Sequence, residues 1–203
     1  MMLKKALAFF IIIILIVNDS VAQQEQTYSQ YMFVPSVYNP GFTGSRNAIC
    51  ATGIMKQQWV GFGEGAPTVY SVSIESPVKF LRGGLGGVIT SDKIGGFSTT
   101  TVKLNYAYHR KIGDALLGIG IGLGLVNKKI DFSYFNVQGD DPVLTSSEEE
   151  SAMIFDIDAG LYFQKKDTWY VGLSSTQINQ GGMELSSGRS QLRRNYYLTG
   201  GYN

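Results

Sequence analysis

"LLGIGIGLGLV", residues 116–126, decides how the chain is to be read. Glycine stands at 118, 120, 122 and 124, and leucine or isoleucine at 117, 119, 121, 123 and 125. A dinucleotide-binding fingerprint would need G-x-G-x-x-G between a strand and a helix, with an acidic residue about 20 positions later. The constant spacing of two rules it out. A looser variant, Gly61, Gly63 and Ala66, runs into Pro67 and an alternating strand pattern, so no helix N-terminus waits for a phosphate. A membrane helix packed through G-x-x-x-G would need about 20 apolar residues. The apolar run ends at Asp114 on one side and at Lys128-Lys129 on the other. A β-strand fits, because its side chains alternate faces. One face is then Leu117, Ile119, Ile121, Leu123 and Leu125, and the other is bare backbone. About 9–11 tilted strand residues cross a bilayer.

The rest of the chain repeats this pattern. In "TVYSVSIES" (68–76), Tyr70, Val72 and Ile74 oppose Ser71, Ser73 and Glu75. In "TVKLNYAYHR" (101–110), Val102, Leu104, Tyr106 and Tyr108 oppose Lys103, Asn105, Ala107 and His109. In "AMIFDIDAGLYF" (152–163), Met153, Phe155, Ile157 and Leu161 oppose Ile154, Asp156, Asp158, Gly160 and Tyr162. Segments 48–59, 84–90, 168–174 and 195–203 complete eight strands. The links 77–82, 111–115 and 164–167 are short. Those at 127–151, containing "SSEEE" (146–150), and 176–193 are long. Short turns at one end, longer loops at the other and apolar-out strands form the outer-membrane barrel pattern. The expected fold is therefore all-β, an antiparallel outer-membrane β-barrel. A secreted soluble β-sandwich shares the alternation and remains open on pattern alone.

The N-terminus carries Lys4 and Lys5, the apolar run "ALAFFIIIILIV" (6–17) and small residues at Ser20-Val21-Ala22. This reads as a signal peptide over 1–22, removed after Sec-type export near Ala22. Residues 23–46 then form an N-terminal periplasmic or plug-like segment, and 47–203 the barrel domain. Removal leaves 15 basic and 15 acidic side chains, so no basic patch points to nucleic acid. Cys50 is the one cysteine, which excludes a disulfide framework.

Catalytic chemistry has little to stand on. His109 is the single histidine and sits in an alternating strand, where a packed or solvated role is commoner than a base. Asp156 and Asp158 share a strand face without a second ligand cluster, so they read as lumen charge paired with Lys or Arg. "SSEEE" reads as a solvated loop. The expectation is no enzyme, no metal and no cofactor. Lys103, His109, Gly120, Gly122, Asp156 and Asp158 are the candidate lumen-facing residues. The glycine face either curves the barrel or lets another backbone pack closely, such as the N-terminal segment or a cargo tail.

Several short pieces stand in order: Tyr28-Ser29-Gln30-Tyr31-Met32, Tyr38-Asn39-Pro40-Gly41, Thr43-Gly44-Ser45-Arg46, Gln58-Trp59-Val60-Gly61-Phe62 and Ala66-Pro67-Thr68. Together they resemble the PorP/SprF family of type IX secretion membrane proteins of Bacteroidota, from about residue 24 to about 175. The resemblance implies an outer-membrane barrel that aids export or surface anchoring of cargo, including gliding-motility adhesins. It implies membrane lipid, secretion-machine proteins, peptidoglycan-linked periplasmic components and the cargo as partners. Tyr31, Asn39, Pro40, Gly44, Gln58, Trp59 and Gly61 are the motif positions that could meet a partner or a plug. Family members are usually longer, so the chain is expected to be truncated relative to them. The alternative function is a generic small barrel that binds or passes small solutes.

Overall fold

The computed structural model describes residues 28–134, 149–185 and 188–202. The signal-peptide reading of 1–22 and residues 146–148 of the acidic run lie outside them. Strands β1 (Cys50–Gln57), β2 (Thr68–Val78), β3 (Gly83–Ile94), β4 (Phe97–Ile112), β5 (Ala115–Asp131), β6 (Glu149–Lys165), β7 (Trp169–Thr176) and β10 (Asn195–Tyr202) form one antiparallel sheet in sequence order. A small hairpin, β8 (Gly182–Leu185) and β9 (Gly188–Gln191), is set into the link between β7 and β10. Among the described residues β1 and β10 are the two edges and do not pair with each other. No described helix is long and apolar enough to cross a membrane.

Tight turns set the register. Gly95-Gly96 joins β3 to β4 and Gly113-Asp114 joins β4 to β5, each with its first glycine at positive φ (56° and 59°). That backbone is the one two-residue hairpins require, and glycine adopts it freely. The register that follows lines up rows across the sheet. Lys103, Gly124 and Asp156 are partners across β4, β5 and β6. So are Asn105, Gly122 and Asp158; then Ala107, Gly120 and Gly160; then His109, Gly118 and Tyr162.

The sheet exposes an apolar face and buries a mixed one, on which polar and charged side chains stand beside Val69, Val88, Val126 and Ile154. Ile119, Ile121, Leu123 and Leu125 are each 47–48 % exposed, while the intervening glycines are buried. Tyr70, Val72, Ile74, Leu104, Phe155, Leu161 and Leu173 extend this outer apolar surface over β2, β4, β6 and β7. The concave face buries Ser71, Ser73, Glu75, Lys103, Asn105, Asp156, Asp158 and Ser174. A water-soluble sandwich has the opposite arrangement, since soluble monomers rarely expose apolar patches above a few hundred Å². Apolar out and polar in is what lipid selects in a barrel wall.

The strands run further than the apolar alternation alone predicts. β5 continues through Asn127, Lys128 and Lys129, and β6 starts at Glu149, so the long link shortens to 132–148. Tyr197 stands on the edge strand β10. It faces inward and packs on Tyr38, ring centroids 5.1 Å apart.

Candidate functional site

The concave face is occupied by residues 28–47, which run as three consecutive single helical turns: Tyr31–Phe33, Pro35–Tyr38 and Pro40–Phe42. Pro35 and Pro40 open the second and third turns, a first-turn position where the missing N–H costs nothing. Asn39 directs the join. Its Oδ1 accepts from Gly41 N (2.9 Å), and its Nδ2 donates to the Leu161 carbonyl on β6 (3.0 Å). One side chain thus folds the turn and ties it to the wall.

The glycine stripe divides into two halves with different neighbours. Gly118 and Gly120 lie against the Pro40-Gly41 backbone, with Gly160 of β6 against the Asn39 side chain. A Cβ on Gly120 would overlap the Pro40 carbonyl group. A Cβ on Gly41 would lie 2.8 Å from the Gly160 carbonyl and 3.1 Å from that of Gly118. The segment can come this close because the wall glycines carry no side chain. Gly122 and Gly124 instead make room for polar side chains. The nearest atom to a Cβ on Gly122 would be Asn105 Oδ1 (2.7 Å), and on Gly124 it would be Lys103 Cγ (3.0 Å).

A second close approach holds the other end of the segment. Gly44, at φ +73°, passes over Gly84 and Ser76, and its N–H donates to Glu75 Oε2 (3.3 Å). Arg46 lies 3.8 Å from Glu75 Oε1, and its guanidinium carbon sits 5.1 Å from the centre of the Phe42 ring. Phe42 meets Tyr162 edge to face at 5.0 Å. Asn105 Nδ2 donates to the Ser36 carbonyl (2.8 Å). Tyr28, Val34 and Tyr38 pack with Val69, Ile54 and Tyr197, which reaches both edges of the sheet.

The charged row lies beyond Gly120. Lys103 Nζ is 2.7 Å from Asp158 Oδ2 and 3.1 Å from Asp156 Oδ2, and all three side chains are buried. Gln177 N donates to Asp158 Oδ1 (2.9 Å). Both oxygens of Asp156 are buried without a hydrogen bond. His109 is half-buried one row beyond Gly120 on the other side, and its Nε2 has no hydrogen-bond partner.

The structure therefore brings together Asn39, Pro40, Gly44, Lys103, His109, Gly120, Gly122, Asp156 and Asp158 on one concave face. It sets three motif residues apart. Gln58, Trp59 and Gly61 lie in the exposed link between β1 and β2, where Gln58 N bonds the Pro67 carbonyl and Trp59 packs on Phe62 at 5.7 Å. Trp59 adopts φ +53°, which costs a non-glycine residue about 1–2 kcal/mol. Tyr31 is 40 % exposed at the border of the segment. Glu75, Gly84, Asn105, Gly160 and Tyr162 also hold the segment and were not singled out from sequence. Their signal was present in the polar faces of 68–76, 101–110 and 152–163 and in the glycines of 83–87, but nothing in these stretches says which residues face a segment more than thirty positions away. Among the described residues no cluster of three or more His, Cys, Asp or Glu could hold a metal ion.

A family model described as "Type IX secretion system membrane protein PorP/SprF" matches residues 20–203. No curated protein and no solved structure matches the chain.

Proposed function

Because the chain belongs to the PorP/SprF family of type IX secretion membrane proteins, we propose that it works as a non-enzymatic outer-membrane barrel component that aids export or surface anchoring of cargo. Its partners in this reading are secretion-machine proteins, including peptidoglycan-linked periplasmic components, the cargo itself and, in gliding cells, surface adhesins. Export proceeds with signal-peptide cleavage near Ala22, after which residues 23–46 form a plug and 47–203 the barrel wall.

The observation that carries the reading is the packed concave face. Wall residues on β2 to β7 hold residues 28–46 by backbone contact, hydrogen bonds and an ion pair. A wall filled in this way supports a binding and scaffolding role, and it disfavours the alternative of a barrel that passes small solutes. Deletion of the gene in its own host tests the choice. The expected result is loss of type IX cargo from the medium or the cell surface, with small-solute permeability unchanged. Intact secretion with altered permeability would favour the solute barrel.

A further inference from the structure

A cavity of about 120 Å³ lies between Tyr28 and Val37 of the N-terminal segment, the inner faces of β3 to β6, and Gln177 and Leu192 of the β7–β10 link. That is about four times the share of volume a water molecule takes in the liquid, so the space suits a guest of about five non-hydrogen atoms. Two buried polar groups on its lining have no hydrogen-bond partner. Asp156 is 0 % exposed, and neither of its carboxylate oxygens accepts a hydrogen bond. Tyr28 is 6 % exposed, and its hydroxyl is likewise unpaired. Buried polar atoms are nearly always satisfied, and one left without a partner costs about 1–3 kcal/mol, more when charged.

The charges nearby say what kind of guest would satisfy them. Lys103 Nζ is hydrogen-bonded to Asp158 and lies 3.1 Å from Asp156 Oδ2, so two buried carboxylates lie against one ammonium. The unpaired sites need a hydrogen-bond donor that is also a cation. Val37, Val88, Val126 and Leu192 supply an apolar lining, which fits a hydrocarbon stem. Asp92 and Lys128 line the same cavity four residues further along their strands from Val88 and Gly124. The Lys128 charge at that end leaves room for a single cationic head near Asp156.

We infer that this cavity is a binding site for a primary alkylammonium group, the head seated on Asp156 and the Tyr28 hydroxyl and the stem against Val88, Val126 and Leu192. The site does not rest on the secretion role, and it can be tested on the purified full chain in detergent micelles. Isothermal titration with n-butylammonium chloride and with acetyl-Gly-Lys-Gly-amide should give saturable binding, while n-butanol should give none. Asp156→Asn should weaken binding at least tenfold. Thr101→Phe, which fills the cavity from β4 and leaves Asp156 in place, should do the same. Preference for the peptide would make the guest a lysine side chain of a bound polypeptide, and preference for the amine a free small molecule; either supports the site. Absence of saturable binding to the unaltered protein, or binding unchanged in the Thr101→Phe chain, would leave the cavity to water alone and overturn the inference.

Discussion

A single methyl group separates two roles within the glycine stripe. A β-carbon on Gly120 meets the Pro40 backbone, whereas one on Gly122 meets the Asn105 side chain, with Asp158 Cβ at 3.2 Å. Backbone held by Asn39 cannot yield, but a side-chain amide can rotate. Gly120→Val is therefore expected to push the N-terminal segment off the wall, so that protease cuts within 28–46. Gly122→Val is expected to keep that segment protected and to disturb the charged row. Limited proteolysis of the two folded variants, read by mass spectrometry, compares them; equal cleavage would show that the stripe acts only through wall curvature. Lys103 sets another residue-scale expectation. Lys103→Met removes the one ammonium bound by Asp158 and Asp156, which leaves buried carboxylates uncompensated. Loss of a partner in such a pair costs about 3–5 kcal/mol, and denaturant titration in detergent should show a fall of that size.

At the scale of the strand, period two ties every side chain to a face. Insertion of one alanine between Gly120 and Ile121 would send Ile121, Leu123 and Leu125 inward and Gly122 and Gly124 outward. The concave face has no space for three such side chains, so assembly should fail, read as loss of the protein from the membrane fraction. This same rigidity made most of the sheet legible in the sequence. The apolar and polar sets of 68–76, 101–110, 116–126 and 152–163 face outward and inward as their alternation implies. The strand ends were less legible because Asn127, Lys128 and Lys129 are polar, and polar residues read as loop even where the ladder continues to Asp131. The β8–β9 hairpin was missed for a related reason. Its strands have four residues each, too few for a periodic signal against a background of Gly and Ser. The site was legible only by type. Lys103, Asp156 and Asp158 stood out as ionic residues on the inward sets of two alternating strands, but their meeting depends on a register set by the turn at Gly113-Asp114 and by the β5–β6 pairing.

Across the whole molecule, among the described residues, the sheet inverts the polarity of an ordinary soluble protein. Ions, amides and backbone contacts stand inside beside apolar clusters around Tyr38 and Leu192, and the exterior is a band of Ile, Leu, Val and aromatic side chains. Transfer of the folded chain from micelles to detergent-free buffer should therefore cause aggregation with the sheet retained, seen as unchanged far-ultraviolet circular dichroism in the pellet. Persistence as a monomer in buffer would contradict a lipid-facing wall. The two sheet edges carry one more consequence. Eight strands alternate in direction from β1 to β10, so these two edges run antiparallel to each other. In hydrocarbon a row of unpaired N–H and C=O groups is not tolerated. The wall must therefore close by joining β1 directly to β10 or through added strands, and with antiparallel pairing kept throughout the number added is even. The finished ring then has an even strand total, and whatever completes it adds strands in even number.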